Sequence, residues 1–73
     1  MRVVSKHYYY FEKQDKLDFL MFLKEKNTNI LEFSSKCSVS ISYMSLILSG
    51  KRALNDNIIN NMKSIGYELK LGD

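Results

Sequence analysis

Residues 29–52 read NILEFSSKCSVSISYMSLILSGKR, and the division of this stretch into helices decides the fold. Asn29 followed three residues later by Glu32 is an N-cap with a reciprocal acid, opening a short helix through about Lys36. Ser38 ends that helix, and Ser40 caps another that runs to Ser49. Gly50 then stands at the C′ position, where the backbone needs a positive φ. Ile30, Phe33 and Cys37 share one face of the first of these helices, with Ser34 as the small residue where the two cross. Val39 plugs the turn, and Met44, Ile47 and Leu48 anchor the second helix from below. The spacing predicts two short helices joined by a tight turn, although the same residues would also serve the core of any helical hairpin.

On the amino-terminal side, Asn27, Thr28 and Asn29 form a polar break. Before it, Asp15 reads as an N-cap with Asp18 in the capping-box position. Leu17, Leu20, Met21 and Lys24 define one face of this helix, and Phe19, Phe22 and Leu23 another, which is more apolar surface than a single core face requires. Val3 to Phe11 is rich in β-branched and aromatic residues and reads as a short strand. On the carboxy-terminal side, Asn55 is an N-cap, with Leu54 and Ile59 as a hydrophobic staple. Ile58, Ile59, Met62 and Ile65 give the inward face of a helix that Gly66 ends. The period then becomes alternating, with Tyr67, Leu69 and Leu71 against Glu68 and Lys70, as in a half-buried strand.

The expected fold class is therefore mainly α: a four-helix helix-turn-helix domain with short N- and C-terminal β-strands. It forms a single domain over 1–73, with an arm over 1–13, a helical core over 15–65 and a strand over 67–71. A chain of 73 residues has a thin core, so association with a second copy would help it. Either the amino-terminal strand or a second subunit should cover the surplus apolar surface. Phe19, Phe22, Tyr67, Leu69 and Leu71 are the candidate homodimer surface, and the open edge of the 67–71 strand invites pairing with the amino-terminal segment, with a second copy, or with both.

Composition narrows the function classes. An apolar content of 45% belongs to a globular chain rather than a disordered one. The one cysteine cannot form an internal disulfide, which suits a reducing cytoplasm. Val3 and Val4 give way at once to Ser5, Lys6 and His7, unlike a secretory signal, and Leu17 to Leu23 is too short to cross a bilayer. A soluble, cytoplasmic protein is expected. His7 and Cys37 each stand alone, so no metal set, no Cys–His nucleophile, no cofactor and no enzymatic activity are expected; Cys37 reads as a small buried hydrophobe. The net charge is only +3, but no acid lies between Glu32 and Asp56, while Lys36, Lys51 and Arg52 do. Such a stretch suits a surface that faces phosphates, and in a short chain it is also a gap that chance produces.

The run from Asn29 to Arg52 resembles the Cro and lambda-repressor type of helix-turn-helix, the XRE family. The resemblance lies in the capped helix, the turn ending Ser38-Val39-Ser40, the Ser42-Tyr43-Met44-Ser45 start of the next helix and the Gly50-Lys51-Arg52 exit. It implies a sequence-specific regulator of transcription that binds double-stranded DNA, from a bacterium or phage, usually a repressor acting as a homodimer on an inverted repeat. Ser34 stands where that family usually has alanine, Ser38 where it usually has glycine, and Cys37 where it has a larger aliphatic residue. The family's base-contacting positions fall on Ile41, Ser42 and Leu46, where glutamine, arginine or asparagine are common.

Read physically, Ser42, Ser45 and Ser49 line one helical stripe whose short hydroxyls let a helix sit deep in the major groove, while Ile41 and Leu46 can meet thymine methyls. Base readout is thus assigned to Ile41, Ser42, Ser45 and Leu46, and phosphate contact to Ser40, Tyr43, Ser49, Lys51 and Arg52. Exposed Ile and Leu on this face fit a protein partner as well, as in a small phage or mobile-element factor that uses the scaffold to inhibit another protein. The Tyr8-Tyr9-Tyr10-Phe11 run could stack single-stranded bases, but alternate rings on a strand face opposite sides, which favours core and interface.

Overall fold

The computed structural model describes residues 2–5 and 8–69, with side chains from residue 9 onward. Its elements are β1 (Arg2–Ser5), β2 (Tyr8–Tyr10), α1 (Lys13–Glu25), α2 (Ile30–Lys36), α3 (Ile41–Leu48) and α4 (Asp56–Ser64). The protein is mainly helical, as its sequence predicts.

Each of the last three helices starts where its cap predicts. Asn29 Oδ1 accepts the Glu32 N–H at 2.9 Å, Ser40 Oγ accepts the Tyr43 N–H at 3.1 Å, and Asn55 Oδ1 accepts the Ile58 N–H at 2.9 Å. Each bond satisfies one of the donors that a helix start leaves orphaned. The Glu32 carboxylate takes the Thr28 hydroxyl at 2.8 Å. Helix α1 departs from expectation: its N-cap is Glu12, and Asp15 is the N3 residue, accepting the Glu12 N–H at 2.7 Å. Asp18 instead accepts from the Gln14 amide at 2.9 Å. Glutamate ranks below aspartate as a cap, so the aspartate drew the assignment one position too deep into a capping box.

The ends of the chain also differ from expectation. The single strand over Val3 to Phe11 is an antiparallel hairpin, with Arg2 opposite Tyr10, Val3 opposite Tyr9, and an irregularity before Ser5 meets Tyr8. Its free edge is used within the chain, since the Tyr9 carbonyl accepts the Leu54 N–H at 2.9 Å. Residues 67–69 carry no strand, and the remainder of that expected strand, with Leu71, lies outside the described residues.

Phe19 is the centre of the core. It is fully buried, and the rings of Phe11, Phe33 and Tyr67 meet it edge-on at centroid distances of 6.2, 5.1 and 4.9 Å, with Phe22 stacked at 6.5 Å. Tyr67 also meets the half-buried Phe22 ring at 5.0 Å. The assignment of Phe19 to a dimer surface is thereby overturned: a side chain with no exposed area has none to offer a second copy. Phe22, Tyr67 and Leu69 are packed against the same core. The outward face of α1 is the other one, where Leu17 is 46% and Met21 63% exposed.

Besides Asn27, which ends α1 at φ 57°, Ser38 and Gly50 are strained or crowded backbone positions. Ser38 closes the α2–α3 turn at φ 59°, a conformation that costs an L-residue about 1–2 kcal/mol. Gly50 sits at φ 79°, and a Cβ there would lie 2.5 Å from the Phe11 carbonyl oxygen, a backbone atom with nowhere to go. Ser38→Gly should therefore raise stability by about 1 kcal/mol, the relief of strain outweighing the added freedom of the unfolded chain. Gly50→Ala should lower it by about 3 kcal/mol. Urea unfolding at an unchanged m-value reads both, and equal signs for the two variants would refute this account.

Ser34 is buried at the α2–α3 crossing, and among the described residues its hydroxyl has no hydrogen-bond partner. Removing a buried, unsatisfied hydroxyl without changing the shape of the crossing releases its desolvation cost. Ser34→Ala should stabilise by about 1 kcal/mol, and any loss of stability would mean that the hydroxyl is bonded.

Burial pushes the Cys37 thiol above its ordinary pKa, with Lys36 opposing, and burial raises Tyr67 too, aided by the negative charges of Asp18 and Asp15. Both groups stay protonated in the fold at a pH where the unfolded chain has begun to lose the protons. Their contribution is whole below pH 9.0, the ordinary thiol value, and declines as pH rises through the folded values. The unfolding midpoint should fall on the alkaline side of that point, and Cys37→Ala should remove the earlier part of the fall.

Candidate nucleic-acid interface

The unit that presents α3 is built from backbone bonds and one amide. In the turn, Ser38 N–H donates to the Ser35 carbonyl and Val39 N–H to that of Ser34, both at 3.0 Å. Asn57 on α4 donates its Nδ2 to the Cys37 carbonyl at 2.7 Å, tying α4 to the end of α2. Met44, Ile47 and Leu48 are buried beneath α3, and Val39 packs against the same core. The register of α3 is therefore fixed from below and from behind.

Its outward surface is the stripe read from the sequence. Ile41 is 48% exposed, Ser42, Ser45 and the C-cap Ser49 are exposed, and Leu46 is half-buried. Of the four residues assigned to base readout, three are exposed and Leu46 is partly so. The short side chains leave the α3 backbone close to whatever docks there, and each hydroxyl can donate or accept.

The basic exit follows directly. The Leu46 carbonyl accepts the Lys51 N–H at 2.9 Å and the Arg52 N–H at 3.3 Å, folding the loop back over the last turn of α3. Gly50 lies against the Phe11 carbonyl at one end of the loop, and Leu54 bonds to Tyr9 at the other. The Lys51 and Arg52 side chains are exposed between these two attachments. Both cations thus project from a backbone with defined ends.

The remaining phosphate candidates are already partly engaged. Ser40 spends a lone pair as the α3 cap and retains its O–H as a donor. Tyr43 is half-buried, and its hydroxyl oxygen accepts from Asn55 Nδ2 at 3.4 Å. Sequence reasoning found Asn55 as a cap but missed that its other amide atom reaches Tyr43, and it missed Asn57 altogether. Neither contact leaves a periodic signal, because each joins residues far apart in the chain. A further exposed apolar side chain, Leu31 at 63%, lies on α2. Among the described residues no group of three side chains could hold a metal ion, and no helix is long and apolar enough to cross a membrane. Comparison with protein-family models, with curated proteins and with solved structures finds no match for this chain.

Proposed function

We propose that the protein is a sequence-specific, double-stranded DNA-binding regulator of transcription that places α3 in the major groove. The observation that carries this reading is the outward stripe of Ile41, Ser42, Ser45 and Ser49, continued by the cationic loop at Lys51 and Arg52 within an acid-free stretch. In this reading Ile41, Ser42 and Ser45 meet base edges, with Leu46 at the rim. Lys51, Arg52, Ser40, Tyr43 and Ser49 hold the backbone. Phosphate contacts set position and most of the affinity, while hydroxyls discriminate modestly between bases, so DNA shape contributes to selection. The resemblance of residues 29–52 to the XRE family supports the same reading, and with it a repressor, of phage or mobile-element type, acting in the cytoplasm.

Action as a homodimer on an inverted repeat belongs to this proposal. Two copies related by a two-fold axis would set their reading helices about 34 Å apart, one turn of DNA. With Phe19 enclosed in the core, the half-buried Phe22, Tyr67 and Leu69 keep part of their surface for such an interface, beside the exposed Leu17 and Met21 on α1.

A second reading, inhibition of another protein through the same scaffold, is favoured by the exposed Ile41 and Leu31. The two separate on a mobility shift with a mixed-sequence duplex at low and moderate salt, where a groove-reading protein binds and a protein inhibitor does not. Lys51→Ala and Arg52→Ala should each weaken binding to all sequences alike and flatten the slope of log affinity against log salt by about 0.9. An unchanged slope in the double variant would remove this loop from the interface.

A further inference from the structure

Tyr43 is held at both ends by N-cap residues of two different helices. Its backbone N–H donates to Ser40, the cap of α3, at 3.1 Å, and its hydroxyl accepts from Asn55, the cap of α4, at 3.4 Å. The orientation of the Asn55 amide is not arbitrary. Its Oδ1 is committed to the Ile58 N–H at 2.9 Å, so the atom facing Tyr43 is Nδ2, a donor. A phenol has one proton to give and two lone pairs. With a lone pair taken by Asn55 and no bond from the hydroxyl to an acceptor among the described residues, the proton remains for an outside acceptor.

We infer that the Tyr43 hydroxyl is a neutral donor to a DNA backbone phosphate, and that Asn55 is the positioning residue that fixes its polarity. This rests on the DNA-binding reading above. A phosphodiester oxygen only accepts hydrogen bonds, so it matches a hydroxyl whose proton is presented outward and would not match an oxygen offered as an acceptor. Tyr43 lies in the first turn of α3, next to Ser42 on the outward stripe. A bond from it to the backbone would set how deeply α3 enters the groove. Unlike Lys51 and Arg52, it would do so without neutralising a phosphate or displacing a counterion.

That difference supplies the test. Affinity for a mixed-sequence duplex is measured across a salt series for the parent protein, Tyr43→Phe, Asn55→Ser and the double variant. Phenylalanine keeps the ring, and serine keeps a cap oxygen for the Ile58 N–H while deleting the amide donor; urea unfolding verifies that both remain folded. Tyr43→Phe should weaken binding about tenfold at every salt concentration, leaving the salt slope unchanged. Asn55→Ser should weaken it less, and the double variant should bind no worse than Tyr43→Phe, because Asn55 acts through the hydroxyl. Parent-like affinity in Tyr43→Phe would overturn the contact, and full additivity would overturn the positioning role. Failure of the parent itself to bind the duplex at low salt would overturn the DNA-binding reading beneath both.

Discussion

The enclosure of one phenylalanine organises this small protein. Phe19 draws the amino-terminal segment through Phe11, helix α2 through Phe33 and the carboxy-terminal segment through Tyr67 onto a single ring. Burying an aromatic side chain contributes on the order of 1.5–3 kcal/mol, with about 0.5–1.5 more for each well-placed ring pair. In a chain this short that is a large part of what holds distant segments together. The rest of the architecture is arranged around it. Helix α1 turns its Phe19 and Leu23 face inward and leaves Leu17 and Met21 outside, while Tyr9, Phe11, Tyr67 and Leu69 pack onto the core from the segments that flank the helices.

Local chemistry was the legible part. Asn29, Ser40 and Asn55 announce three helix starts, and Gly50 and Gly66 mark two helix ends at positive φ. The inward residues of α3 and α4 follow from spacing alone, and so does the outward serine stripe. What could not be read were pairings between distant segments. The surplus of aromatic residues was visible, but nothing in a periodic pattern distinguishes surface that a second copy covers from surface that the chain's own ends cover. Phe19 was misassigned for that reason. The hairpin at the amino terminus was hidden similarly, because the strand-forming run from Val3 to Phe11 contains no glycine, asparagine or proline to mark a turn.

The candidate interface shows the same division. Its outward residues were found because helical periodicity separates them from Met44, Ile47 and Leu48. Its supports were not, because Asn55 meets Tyr43, and Asn57 meets Cys37, across helices. The surface that results is unusual in having no long polar side chain at its centre. Hydroxyls on a rigid helix lose little rotamer freedom on docking, whereas glutamine or arginine must be immobilised. A serine-lined helix therefore trades strength of individual contacts for a low cost of ordering.

The loop that carries Lys51 and Arg52 has a consequence of a different kind. Surface loops normally accept insertions, since lengthening a flexible connection costs little in closure entropy. This one is crowded at Gly50 by the Phe11 carbonyl and bonded at Leu54 to the Tyr9 carbonyl, with its own amides folded onto Leu46. An added residue could not be absorbed without disturbing the Leu46 bonds or the Leu54–Tyr9 bond. The Lys51 and Arg52 side chains between them, by contrast, are exposed and meet no such constraint. Among descendants of this sequence the loop should therefore drift in charge while its length stays fixed, so that affinity can be retuned without moving the helix that does the reading.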